Sequence, residues 1–105
     1  MTRDEALANI TARAASIGLQ YSDSSHRPSY WLMTKAEYLA AEVCPRTPHS
    51  MGYDAETAAG DHAGFVSFAM LIKDPVPAEV LADYPDIDTM VAESKAFYAS
   101  LPPYL

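Results

Sequence analysis

Four side chains, Cys44, His49, Asp61 and His62, with His26 further off, are the residues whose types could bind a metal or attack carbon. All are permissible zinc ligands, and loops can bring such residues together. Their spacing argues against it. Cys44-x4-His49 is not a finger arrangement, and the chain has no second cysteine. Asp61 and His62 are adjacent, so in an extended backbone they point apart. A nucleophilic role for Cys44 needs a base or positive charge to lower its pKa, which His49, His62 or Arg46 would have to supply. Cys44 also falls at the expected end of an amphipathic helix, where a buried, inert thiol is the common outcome. No Gly-x-Ser-x-Gly, P-loop, Gly-x-Gly-x-x-Gly or His-Glu-x-x-His motif occurs. The expectation is therefore a non-enzymatic protein with no catalytic residues, metal or cofactor. A small metal-binding protein or enzyme using Cys44, His49, Asp61 and His62 is the alternative.

Asp83, Asp86 and Asp88 form a sparse row of carboxylates without the glycine or closing glutamate of a calcium loop. They are better read through the charge of the whole chain. Residues 1–50 carry five basic and five acidic side chains, whereas residues 51–105 carry nine acids against Lys73 and Lys95. The formal net charge of −7 thus belongs to the C-terminal half. Such a balance disfavours direct nucleic-acid binding by counterion release and attachment to anionic membranes. It suits steering toward a basic surface. Tyr84 and Tyr104, beside prolines and acids, are expected to be exposed and to add apolar area to a contact.

The elements that position these residues follow from periodicity and punctuation. Thr2 with Glu5 forms a capping-box pattern, Leu7, Ile10, Ala14 and Ile17 share a helical face, and Gly18 stops the helix. Leu19 and Tyr21 with Tyr30-Trp31-Leu32-Met33 suggest a hairpin. Thr34 and Glu37 repeat the capping box for a second helix that Pro45 closes. Residues 44–63 look irregular, with a short helical turn around Asp54–Ala59. Phe65 to Ile72 is the most hydrophobic run and is expected to be a central strand buried on both faces. Pro77 opens a short helix through Val80 and Leu81. Asp86 or Asp88 caps a last helix with Met90, Val91, Phe97, Tyr98 and Leu101 on one side. Tyr38, Trp31, Phe65, Phe68 and Phe97 are the expected aromatic core.

These elements amount to an α+β fold over one domain, residues 1–105, with a small, mainly antiparallel sheet (hairpin plus one central strand) packed by about four helices. With 105 residues the chain buries a modest core. Leu, Ile, Val and Phe together number only twenty, against eighteen alanines. The lone cysteine fits a reducing compartment, and the acid-bearing N-terminus lacks a signal-peptide core, so a cytoplasmic location is expected. No run reaches the ~20 apolar residues of a membrane span.

The function expected from this pattern is an inhibitor-like binding module. Its acidic half, led by Asp83, Tyr84, Asp86, Asp88 and Tyr104, docks on the basic, nucleic-acid-binding surface of a protein partner. A phage counter-defence protein of the anti-CRISPR type is one concrete version, on physical type alone. A structural or assembly subunit is a further alternative.

Overall fold

The structure, a computed structural model, describes residues 1–20 and 29–102. The described residues form five α-helices, α1 Arg3–Ser16, α2 Lys35–Glu42, α3 Ala55–Leu71, α4 Ala78–Leu81 and α5 Ile87–Ala99, with a 310 turn at Tyr30–Leu32 before α2. The expected α+β architecture is wrong. Among the described residues there is no sheet, and β pairing is confined to two isolated bridges, Cys44 with Tyr53 and Thr47 with Ser50.

The largest correction concerns Phe65–Ile72, which is not a central strand: Phe65 to Leu71 end the 17-residue α3 and Ile72 caps it. A short continuous apolar run does not distinguish a buried strand from a helix by periodicity. The helix is visible only when the buried positions Ala58, His62, Val66 and Ala69 are taken together, because they repeat at helical spacing. Gly60 and Gly64, which look like loop punctuation, lie inside the helix. Asp54 caps it, its Oδ1 accepting the Thr57 N–H at 2.7 Å, so the turn expected at Asp54–Ala59 is only the beginning of α3.

The hairpin fails for a related reason. Leu32 and Met33 are adjacent and both buried, whereas neighbours in a strand face opposite sides. A tight 310 turn can send both inward. The Tyr21 end of the expected hairpin lies outside the described residues.

The helix ends follow the sequence more closely. Thr2 Oγ1 accepts the Glu5 N–H at 3.2 Å. At α2 the Thr34–Glu37 capping box is complete. Gly18 takes φ +80° beyond α1, and Leu19 N–H returns to the Ala14 carbonyl at 2.8 Å, a Schellman stop. Lys73 makes the same stop after α3, with φ 66° and Asp74 N–H on the Ala69 carbonyl at 2.8 Å.

Packing then forms two clusters. Ala6, Ile10 and Ala14 of α1 meet Leu32, Met33, Tyr38 and Ala58 in the first. Val66, Val80 and Tyr84 make the second, flanked by Trp31, Ala63, Ile87 and Met90. α3 is the common spine, packed against α2, α5 and the 310 turn. Between α1 and α2 a nearly buried ion pair joins Arg13 and Glu37, and Arg13 also donates to the Leu32 carbonyl at 3.0 Å. Burial pushes the Glu37 carboxyl up, but Arg13 and the Thr34 N–H outweigh it and hold the group below its ordinary value.

Candidate functional site

The Cys44, His49, Asp61 and His62 set is not assembled. Cys44 is exposed rather than buried, because α2 stops at Glu42 and the chain leaves in a tight loop closed by the Cys44–Tyr53 bridge. His49 is exposed at the tip of that loop. Asp61 and His62 lie on α3, and one helical step turns them to different surroundings. Asp61 accepts a hydrogen bond from the Tyr53 hydroxyl, and Tyr38 Oη lies 3.0 Å from Tyr53 Oη. With the Tyr53 proton committed to Asp61, Tyr38 donates to Tyr53. Among the described residues, no three His, Cys, Asp or Glu side chains are grouped to hold a metal ion. His26 lies outside the described residues.

His62 is fully buried and both ring nitrogens are engaged. Nε2 lies 2.7 Å from the Met33 carbonyl and Nδ1 lies 2.5 Å from the Tyr84 hydroxyl. A carbonyl only accepts, so the proton sits on Nε2 and Tyr84 donates to Nδ1. This neutral ring is favoured by burial, which lowers the His62 pKa from 6.5 against the raising pull of the Met33 carbonyl. Burial and Asp83 push the Tyr84 hydroxyl up to about 12. These two hydrogen bonds fasten the α4–α5 junction to α3 and to the end of the 310 turn.

Tyr84, expected at the surface, is therefore only 7% exposed and belongs to the core. Asp83 is exposed, but its Oδ2 accepts the Lys35 N–H at 2.9 Å and so caps α2 from across the molecule. Asp86 and Asp88 are exposed at the start of α5, and the Asp86 side chain makes no capping hydrogen bond. Tyr104 lies outside the described residues.

The aromatic expectations divide. Tyr38 is buried and Trp31 is half-buried between the two clusters. Phe65, Phe68 and Phe97, expected in the core, are 39%, 41% and 60% exposed. Tyr98 joins them, its ring centroid 5.4 Å from both Phe68 and Phe97. No residue of α5 is buried. The helix touches the second cluster through Ile87 and Met90, and Ser94 Oγ donates to Ser67 Oγ at 3.1 Å. Between α3 and α5 this leaves an open groove of about 310 Å3 walled by Phe68, Phe97, Tyr98 and Glu93, with Gly64 and Ser67 on the α3 side. The sequence reasoning missed this groove. The signal available was the glycine pair inside an otherwise helical stretch, which marks a helix face with no side chains to fill it.

No helix among the described residues is long and apolar enough to cross a membrane. No protein-family model, curated protein or solved structure matches the chain.

Proposed function

We propose that the protein is a non-enzymatic binding module whose acidic C-terminal half docks on a basic surface of a partner protein. The observation that carries the reading is α5: a 13-residue helix with no buried residue, exposed Phe97 and Tyr98, and exposed Asp86, Asp88 and Glu93. Contiguous exposed apolar surface with a polar rim is typical of interaction sites. Nine acids against two lysines in residues 51–105 supply the long-range attraction toward a positive partner. Carboxylates can occupy a groove built for phosphates, so an inhibitor of a nucleic-acid-handling complex, such as a phage counter-defence protein, is a version of this role. The exposed lone thiol of Cys44 fits a cytoplasmic setting.

Capture from a host lysate at low salt, with graded salt elution, tests the reading. The wild type is expected to retain a basic partner released at moderate salt, and Asp86→Lys/Asp88→Lys/Glu93→Lys to lose it. Asp83 is left intact because it caps α2. Equal capture by the charge-reversed variant overturns the proposal.

A further inference from the structure

The groove between α3 and α5 has a polarity along its length. The two helices run side by side in the same direction, with Ser67 against Ser94 and Phe68 against Tyr98. The α3 wall is Gly64, Ser67 and Phe68, and on α5 Met90, Glu93 and Phe97 continue at helical spacing from the exposed Asp86. Along α5 the acids Asp86 and Glu93 therefore lie N-terminal to the Phe97 ring, and along α3 the bare Gly64 lies N-terminal to the Phe68 ring. Glu93 is the one charged residue among those lining the groove. Lys95 points about half a turn away round α5.

A second observation bears on the same face. A Cβ added at Gly60 or Gly64 would meet nothing within 4 Å. Glycine inside a helix is destabilising relative to alanine, and here no packing within the chain requires it. Bare backbone at this spacing admits close approach by another helix.

We infer that this groove seats a cationic amphipathic helix of the partner, with its basic residues toward Asp86 and Glu93 and its apolar face over Gly64 and between Phe68, Phe97 and Tyr98. Apolar anchors at i, i+3, i+4 and i+7 are the usual way a helix fills such a groove. A second copy of this acidic chain would bring like charges together at the same rim. The inference deepens the binding-module reading and rests on it.

The probe is an 18-residue Leu–Lys peptide with an amphipathic helical pattern, compared with a scrambled peptide of the same composition and a Leu–Glu counterpart. Fluorescence anisotropy gives affinity, and amide chemical shifts locate the contact. The patterned Leu–Lys peptide is expected to bind at least tenfold tighter than either control, shifting Gly64, Ser67, Ser94 and Phe97. Phe68→Ser/Phe97→Ser, at exposed positions, and Glu93→Lys are each expected to weaken it about tenfold. Gly64→Leu is expected to weaken it similarly without lowering the melting temperature. Equal binding of the scrambled peptide, shifts confined to other surfaces, or affinities unmoved by these variants overturn the inference. So does a concentration-dependent dimer in light scattering that Phe97→Ser abolishes, since a second copy then fills the groove. If peptide binding fails while lysate capture still depends on Asp86, Asp88 and Glu93, the seated helix is wrong and the binding-module reading stands. If both fail, the reading itself is lost.

Discussion

His62 shows how a residue type that reads as chemistry can serve structure. Its Nε2–H is held by the Met33 carbonyl and its Nδ1 by the Tyr84 hydroxyl, with the Tyr38 ring 5.2 Å away. Tyr84→Phe leaves Nδ1 buried without a donor, so a loss of about 1–3 kcal/mol is expected in urea unfolding. The ring also sets a pH dependence. Among the groups around it, Asp83 pulls its pKa up and Lys35 pushes it down, but burial dominates and keeps it below 6.5. As pH falls through ~6.5 the unfolded chain takes up a proton that the native ring refuses. Stability is therefore full above that value and declines below it until the native ring also protonates. Glu37, held below 4.5, contributes its own loss only in a more acidic window. The unfolding midpoint is expected to drop between pH 7.5 and 5.5 in the wild type, and the His62→Gln variant is expected to lose most of that slope. An unchanged slope in the variant rejects this account.

At the scale of elements, local signals fixed the ends of the helices better than their identities. Gly18 and Lys73 occupy equivalent stops, but only glycine takes a left-handed φ without steric cost. Lys73→Gly is expected to raise stability by about 1 kcal/mol and Gly18→Ala to lower it, both measurable by thermal unfolding. Gly52 is different again. With φ +79° it also lies so close to the Arg46 backbone that a Cβ would approach to 2.9 Å, so the Cys44–Tyr53 loop needs glycine there on two counts. Within α3, Gly60→Ala and Gly64→Ala are expected to stabilise the free protein by ~1 kcal/mol each, since the added methyl meets only open space. A melting temperature lowered by either alanine would contradict the open face.

For the molecule as a whole, the two small clusters joined at α3 imply uneven stability. α1 and the middle of α3 bury Ile10, Ala14, His62 and Val66 almost completely, while α5 buries none of its residues. Native-state hydrogen exchange is expected to show α5 opening at lower free energy than α1 and α3. Equal protection across α3 and α5 would refute that ordering. A loosely held helix with exposed rings is also the element a partner would order on binding.

Charge asymmetry, the lack of the common catalytic motifs, and helix boundaries such as Thr34, Gly18 and Pro77 are legible in the sequence, because these depend on composition or on residues within one turn of each other. Only the assembled fold makes Phe65–Leu71 helical, puts Tyr84 inside while Phe68 and Phe97 are outside, and gives His62 and Asp61 different neighbours. The physical reason is that α3 runs unbroken from Ala55 to Leu71 and its inward face depends on partners far along the chain. Met33, Val80 and Tyr84 cover one side of it, whereas Phe65 and Phe68 lie against neighbouring tyrosines and stay 39% and 41% exposed. Which side of a helix is covered is a property of the assembled elements, and alternating or periodic hydrophobicity within a single segment does not carry it.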